Sequence, residues 1–350
     1  MDSPPWRATE KVHADVRQRA FQLFAVLVVV GADTEAATIA ENFSADPLAG
    51  GWKIFGDTNL FRWNATNQNL EVTWDSSRTN SYFQLPLGTI VSKSDDFSLA
   101  FNLRMRDIAI GTSANKPDTF EIAIGLLNSV NSTNTNYFRG TGVSPTYGVR
   151  NAVEFDYFPP TAVIEATFAP TVISSNVSLK FSDNRLLLTT NDDFRIAMTY
   201  TASNQLLKTV VTRNGLPFGN APDSTIKDLS LVGHPDFRVD RVAIINYSDA
   251  LQIGSTQFWG SILAHGFVDD LLVTVPDPPV SNFTGVKSNA TYHAAFPART
   301  NWFYVLERST DFVSWSTASS TNAGSGNVLW LQDTNLPSVN AFYRVRSLRP

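Results

Sequence analysis

The stretch NAVEFDYFPP, residues 151–160, decides the fold because it places two acids inside a run of β-branched and aromatic residues. Successive side chains of a β-strand point to opposite faces of the sheet. The run therefore divides into an apolar face and an acidic face, namely Val153, Phe155 and Tyr157 against Glu154, Asp156 and Phe158. Two carboxylates about 7 Å apart repel each other. We expect the pair to lie away from the apolar layer and to serve a metal ion, a sugar, a reaction or solvation.

The composition is typical of a secreted all-β protein. The chain has 350 residues, of which 43% are hydrophobic, so it can bury a substantial core. Only 17% are charged, which is unlike a helix-rich cytosolic enzyme. The net charge is −5 and no cluster of Lys and Arg offers a footprint for nucleic acid. We therefore expect no nucleic-acid partner.

Cysteine is absent from the sequence. Disulfide frameworks and thiolate metal sites are thereby excluded. A large secreted eukaryotic chain without cysteine is unusual, so we expect a bacterial origin.

Residues 1–40 have the pattern of a signal peptide. Three basic residues precede an apolar run at 20–32: Lys11, Arg17 and Arg19. That run is shorter than the roughly 20 residues that a transmembrane helix needs, and small residues follow it. We expect cleavage between Ala36 and Ala40, a secreted or cell-surface location and no membrane span in the mature chain. The alternative is a buried helix.

Short β-prone runs separated by turn residues dominate the rest of the chain. They include NLEVTW (69–74), SYFQLPL (81–87), FSLAFNLRM (97–105), TFEIAIGLL (119–127), VEFDYF (153–158), VDRVAIINY (239–247) and GFVDDLLVTV (266–275). This spacing predicts an all-β sandwich or jelly roll over residues 41–275. A proline-rich linker follows at 276–284, and residues 285–350 are predicted to form a small β-sandwich module. Its three tryptophans are candidate core residues or surface anchors: Trp302, Trp315 and Trp330.

Four motifs between residues 95 and 213 resemble, in the same order, those of L-type (legume-type) lectins of the concanavalin A-like superfamily. They are FSLAFNLRM, PDTFEIAIGLL, the pair RGTG and NAVEFDYF, and MTYTASNQLLKTVV. The resemblance implies a jelly-roll sandwich of two antiparallel sheets. Residues 41–275 also resemble domains of secreted bacterial proteins. The C-terminal unit resembles a small module that ends many of those proteins, with YVLERSTDFVSW and FYRV as its signature.

The resemblance implies two groups of site residues. Glu154 and Asp156 match metal ligands of the lectins, and Phe158 matches a position that lends its carbonyl. The lectins' downstream Asn, Asp and His ligands have no counterpart here, although Glu165 and Asn176 are present. The sugar contacts are matched by Asp118, by Gly140 or Gly142, and by Tyr137 as a nearby aromatic residue. Asp118 is otherwise a turn residue after a proline, and the glycines otherwise serve loop geometry.

A second acid group resembles the structural calcium site of jelly-roll carbohydrate-binding modules. Asp269 and Asp270 lie in the closing strand, and Glu41 would be their partner in the first strand. Calcium bound there would join the first strand to the last. The alternative is that these charges protect an edge strand from aggregation.

Glycoside hydrolases of the same superfamily carry a third acid after the pair. Here Phe158 and Pro159 occupy both possible positions of that proton donor. We therefore expect a secreted, non-catalytic, lectin-like protein whose partner is a glycan or polysaccharide. The alternatives are a polysaccharide-active enzyme, either hydrolase or lyase, and a structural cell-surface adhesion protein. The sugar and the oligomeric state are left open.

Overall fold

The computed structural model describes residues 37–112, 121–134, 137, 149–160, 165–181, 184–218, 224–230, 233–247, 261–300 and 302–349. Nearly all regular structure in these ranges is β. The helical elements there are a 3₁₀ turn at Thr58–Leu60 and a four-residue α-helix, α1, at Ser129–Ser132. None of the helices that the structure describes is long and apolar enough to cross a membrane.

Seventeen strands build the larger unit. They are β1 Ala37–Glu41, β2 Lys53–Phe55, β3 Phe61–Asn64, β4 Asn69–Asp75, β5 Ser81–Ser92, β6 Phe97–Ile110, β7 Ile122–Leu127, β8 Ala152–Phe158, β9 Thr167–Ile173, β10 Leu179–Phe181, β11 Asn184–Arg185, β12 Phe194–Thr201, β13 Leu206–Arg213, β14 Leu216–Pro217, β15 Ser224–Asp228, β16 Arg238–Asn246 and β17 Ile262–Val275. All the strand pairs between them are antiparallel.

These strands form two sheets. Sheet A has nine strands in the order β14-β13-β12-β6-β17-β4-β3, with β1 beside β17 and β15 beside β13. Sheet B has eight strands in the order β10-β9-β8-β7-β16-β5-β2, with β11 beside β9. The first strand of the unit therefore pairs with the last, because Ala37 lies opposite Val275. The predicted all-β architecture of two antiparallel sheets is confirmed.

The main core lies between the two sheets. The apolar face of β8 faces into it, since Val153, Phe155 and Tyr157 all belong to this core and are at most 2% exposed. Phe101 of β6 meets Phe155 there with ring centroids 5.8 Å apart. The alternation read from the sequence is thus confirmed for the apolar face. Phe158, at the end of β8, is half-buried and packs against this same core, so it departs from the acidic face on which alternation placed it.

A second apolar layer covers the outer face of sheet B. Its largest members are Tyr82, Tyr137 and Tyr247, which we call the tyrosine layer. Tyr82 belongs to β5, whereas Tyr247 directly follows β16. Smaller residues from the strands beneath complete the layer: Ala123, Leu127, Ala152, Ile173, Ala243 and Ile245. Sheet B is therefore buried on both faces.

The C-terminal unit has its own two small sheets and its own core. Its strands are β18 Thr284–Ser288, β19 Thr291–Pro297, β20 Phe303–Ser309, β21 Ser316–Thr317, β22 Asn322–Ala323, β23 Val328–Asp333 and β24 Phe342–Leu348. One sheet runs β18-β19-β23, and in the other β20 pairs with β21, β22 and β24. Phe296, Tyr304 and Leu306 fill the core between them. The predicted small β-sandwich is confirmed.

A buried ion-pair cluster joins the two units, and we call it the arginine clasp. Asp95 of the larger unit accepts from Arg299 Nη2 at 2.7 Å on Oδ1 and from Arg349 Nη1 at 2.6 Å on Oδ2. Both guanidinium groups lie over the ring of Trp302, at 5.6 and 5.4 Å from its centroid. The Asp95 and Arg349 side chains are only 7% and 5% exposed. A pair so well shielded is screened far less by solvent than a surface ion pair.

We predict that Asp95→Asn destabilises the chain by about 3 kcal/mol, because two arginines lose a shared buried carboxylate. Urea unfolding followed by tryptophan fluorescence measures the loss. The matched control is Glu71→Gln, which removes an ion pair with Arg62, a side chain that is 74% exposed. That control should cost less than about 1 kcal/mol. Equal losses in the two variants would contradict the importance of the clasp.

Candidate functional site

The acid pair lies in the middle of sheet B, on β8 between β7 and β9. Glu154 is opposite Gly125 on one side and Thr171 on the other. Asp156 is opposite Ala123 and Ala169. All four neighbouring residues are small, which leaves room for the two carboxylates on this face of the sheet.

Gly125 makes the room that the Glu154 side chain needs. A Cβ atom at this position would lie 2.4 Å from the carbonyl oxygen of Val153 and 2.8 Å from the Cα atom of Glu154. Both distances are well inside van der Waals contact, and a strand backbone cannot yield cheaply. The glycine in the run EIAIGLL is therefore required by close approach rather than by a turn.

Both carboxylates are fully buried, with 0% exposure for Glu154 and for Asp156. The tyrosine layer covers them, and the Tyr247 hydroxyl donates a hydrogen bond to Glu154 Oε1. Burial, together with the negative charge of Glu154, raises the pKa of Tyr82. The sequence placed the pair on the correct face. On that face the acids are enclosed rather than open to solvent.

Tyr137 belongs to the wall of this enclosure. Its ring lies edge-on to Tyr82 at 6.5 Å and tilted against Tyr247 at 6.4 Å. Its carbonyl oxygen accepts from Asn80 Nδ2 at 2.6 Å. Tyr137 is 2% exposed, so its ring packs within the layer and is not presented to solvent. This placement differs from the sugar-contacting role predicted for Tyr137.

Tyr82, Tyr137 and Tyr247 lie toward one end of sheet B, which we call the Ile122 end, whereas Leu127 and Ala152 carry the layer to the other end. Ile122 begins β7 opposite Tyr157, near the end of β8. Ser81 begins β5 opposite Asn246, which ends β16. Four strands of sheet B, namely β5, β7, β8 and β16, therefore start or stop at this end.

The predicted sugar contacts other than Tyr137 lie outside the described residues. They are Asp118, Gly140 and Gly142. The described residues that flank them are informative, because Asp118 shortly precedes Ile122, and Gly140 and Gly142 shortly follow Tyr137. Ile122 itself defines this end, and Tyr137 reaches it through its contacts with Tyr82, Tyr247 and Asn80. The connection that contains Tyr137 nevertheless leaves β7 at Leu127 and enters β8 at Ala152, at the opposite end of the sheet.

The described residues do not supply a lectin-type metal shell around Glu154 and Asp156. Within the described ranges, no three side chains from Asp, Glu, His and Cys converge as a metal site. Glu165 forms an exposed ion pair with Arg185, and Asn176 accepts from Ser174 Oγ within a turn. A transition metal normally wants an imidazole as well. A metal at the acid pair stays a prediction without support from this geometry.

The second acid group is brought together as the sequence predicted. Glu41, at the end of β1, lies opposite Leu271, next to Asp270 in the chain. Burial raises the pKa of Asp269, and the charges of Asp270 and Glu41 add to the effect. Asp270 has a left-handed backbone, φ 45°, where a bulge shifts the register between β17 and β6. Glu41 and Asp270 border an open cleft of about 490 Å³.

Protein donors already take up several of these oxygens. Glu41 accepts from the Phe43 backbone N–H at 2.7 Å and from the Trp52 indole N–H at 2.9 Å. Asn102 Nδ2 donates to Asp270 Oδ2 at 2.8 Å. Calcium needs six to eight oxygen ligands, and the described residues here do not fit that shell. Calcium at this corner stays a prediction, and hydrogen bonds between the strands hold the corner.

The sequence did not single out Tyr247 or Gly125 as site residues. Tyr247 ends the apolar run VAIINY, where a tyrosine directly after a buried strand reads as an ordinary boundary residue. Gly125 sits inside a strand, and a glycine there signals close approach of another group. That signal was available in the sequence, whereas the link between Tyr247 and Glu154 spans 93 residues.

Comparison with known proteins gives structural likeness alone. No family model and no curated protein matches the chain. The solved structures to which it is similar include lectins and a lectin-like domain. Peanut lectin with a nine-residue peptide is 18% identical with a TM-score of 0.39, covering 67% of this chain and 99% of that one. Lectin II from Ulex europaeus is 14% identical with a TM-score of 0.42, covering 69% and 99%. A legume lectin-like domain from Entamoeba histolytica is 9% identical with a TM-score of 0.40, covering 67% and 94%.

We predict a measurable coupling between Tyr247 and Glu154. Tyr247→Phe should cost about 2 kcal/mol, since a buried carboxylate loses a hydroxyl donor. In Tyr247→Phe combined with Glu154→Gln, the loss should be smaller than the sum of the single losses by about 1 kcal/mol or more. Urea unfolding of the four proteins completes the cycle. As a control, Tyr200→Phe removes a hydroxyl donor to the neutral Lys93 carbonyl and should cost about 1 kcal/mol. Strictly additive losses would contradict the bond.

Proposed function

We propose that the chain is a secreted, non-catalytic, lectin-like protein that binds a glycan at the Ile122 end of sheet B. One observation supports this most: Ile122, which shortly follows Asp118, and Tyr137, which shortly precedes Gly140 and Gly142, both lie at the end of sheet B where Tyr82 and Tyr247 pack. Loops that meet at the end of a rigid sheet are a common place for binding residues. The order of sequence motifs supports the same assignment.

In this proposal the buried acids Glu154 and Asp156 do not touch the sugar, and residues of the loops contact it. Asp118 accepts hydrogen bonds from sugar hydroxyls, and the backbone at Gly140 or Gly142 approaches the sugar closely. Tyr137 fixes the start of its loop by packing in the tyrosine layer. A shallow polar site of this kind gives modest affinity for each sugar, because water competes for every hydrogen bond.

Two features support a non-catalytic role. A retaining glycosidase needs two carboxyl groups about 5.5 Å apart, both of which reach the scissile glycosidic bond of the substrate. Glu154 is instead 0% exposed, and the Tyr247 hydroxyl is bound to it. Phe158 and Pro159 stand where a proton donor would follow. A polysaccharide-active enzyme remains the alternative, together with a surface adhesion protein that binds no sugar.

We predict that the full chain binds members of a glycan array and that Asp118→Ala lowers affinity about tenfold or more, the effect of losing a charged hydrogen-bond acceptor. The control is Asp46→Ala, an exposed aspartate distant in sequence from both loops. Both variants should melt within about 2 °C of the parent, as surface changes do. Repeating the array with calcium and with a chelator tests the calcium prediction.

The same preparation distinguishes the alternatives. Release of reducing sugar that disappears in Glu154→Gln would establish the enzyme and overturn the non-catalytic proposal. Failure to bind any glycan on the array would favour the adhesion protein. Affinity unchanged in Asp118→Ala would place the site elsewhere. Trp52 and Trp63 are poor candidates for that other sugar site. The Trp52 ring stacks on Phe83 in the core, and the Trp63 indole N–H donates to the Phe43 carbonyl.

We also propose export, with removal of the leader before β1. Residues 1–36 lie outside the described residues, and β1 begins at Ala37, inside the window of cleavage read from the sequence. A cut after Ala36 keeps all five residues of β1, whereas a cut after Ala40 removes four of them from their pairing with β17. We predict that intact-mass analysis of secreted protein gives an N-terminus at or before Ala37. Retention of residues 1–30 would contradict export by cleavage.

A further inference from the structure

The three tryptophans of the C-terminal unit have different surroundings. Trp302 is 3% exposed inside the arginine clasp. Trp315 lies under the Arg344 guanidinium, 4.2 Å from the ring centroid. Trp330 is 67% exposed, and within the described ranges its ring stacks on no other ring and its indole N–H donates to no acceptor. Packing therefore explains the first two tryptophans and leaves the third unexplained.

Trp330 projects from the outer face of the sheet β18-β19-β23. The inner face of this sheet belongs to the core of the unit, through Tyr292, Ala294, Phe296, Leu329 and Leu331. Alternation then assigns ten residues to the outer face. They are Thr284, Val286, Ser288, Thr291, His293, Ala295, Pro297, Val328, Trp330 and Gln332. We call this set the Trp330 face.

The Trp330 face combines a flat aromatic group with neutral hydrogen-bonding groups. Ala295 lies directly opposite Trp330 across the strands, and it is too small to cover an indole ring. One step along, His293 lies opposite Gln332, and Thr284 lies on the far side of Ala295. None of the ten residues is Asp, Glu, Lys or Arg. The indole is thus bordered by an amide, an imidazole and hydroxyls.

We propose that the Trp330 face binds a neutral polysaccharide chain. The apolar C–H face of a pyranose ring stacks on an exposed indole, while its hydroxyls need neutral donors and acceptors at the rim. Gln332, His293 and Thr284 supply such groups. From Val328 to Gln332 the strand extends about 13 Å, which is enough for a short run of sugar rings. This inference does not rest on the proposed function, because the face belongs to the other unit.

The absence of charged residues from the Trp330 face argues against other classes of ligand. Nucleic acids and anionic polymers are bound through Lys and Arg, and the face has neither. Protein interfaces favour Arg together with aromatic residues, and an anionic membrane surface also attracts basic groups. A second copy of this chain is the remaining competitor, since β23 ends the sheet with Trp330 and Val328 exposed.

Affinity electrophoresis of the full chain tests the proposal. Native gels contain a soluble neutral β-glucan, galactomannan or xylan, with alginate as a polyanion control. At least one neutral polysaccharide should retard the chain, and Trp330→Ala should weaken the apparent affinity about tenfold, as expected for losing a stacked aromatic ring. Trp330→Tyr should retain part of the retardation. Val313→Ala is the matched control, since Val313 is 83% exposed on the neighbouring sheet's turn.

Each result either supports or overturns the proposal. Retardation that depends on Trp330 and persists in Asp118→Ala supports it, whether or not the Ile122 end binds sugar. No retardation in any neutral gel, or equal retardation of Trp330→Ala and the parent, overturns it. Light scattering covers the competitor: a dimer that becomes a monomer in Trp330→Ala, without retardation, assigns the face to self-association. Melting temperatures confirm that every variant is folded.

Discussion

Burying two carboxylates on one strand is the constraint on which sheet B depends. A buried charge costs several kcal/mol unless donors satisfy it. The surrounding structure meets this demand from separate parts of the chain, with Gly125 providing space and Tyr247 providing a hydroxyl. The tyrosine layer then seals the acids from water. Residues that looked like a site in the sequence are therefore part of the buried structure beneath the tyrosine layer.

The alternation in NAVEFDYF correctly predicted which side chains share a face, because a period of two follows from strand geometry alone. It could not predict what lies on top of that face. Much of the cover comes from Tyr82 and Tyr247, which are remote in sequence from β8 and meet it only in the folded chain. Strand β9 was also missed, since Pro170 interrupts its pattern while lying opposite Phe155 in the sheet.

At the corner formed by Glu41, Asp269 and Asp270, contacts made by residues from distant parts of the chain again escaped prediction. The resemblance to jelly-roll carbohydrate-binding modules implied that the first strand of the larger unit meets the last, and the structure places Glu41 close to Asp269 and Asp270. The donors that surround them were not predictable, because Asn102 and Trp52 come from other parts of the chain. Whether a cation or a protein donor balances the charge of these acids depends on residues outside the acid motifs, here Trp52 and Asn102.

The arginine clasp joins the unit that carries the Ile122 end to the unit that carries the Trp330 face. Asp95 holds Arg299 and Arg349 from the other unit, and Trp302 lies against both guanidinium groups. These ion pairs anchor two separate segments of the C-terminal unit, at residues 299 and 349, to one carboxylate. Two linked weak sites gain affinity for a ligand that engages both at once. If both proposed sites bind sugar, a polysaccharide long enough to reach both gains an avidity that a short oligosaccharide does not.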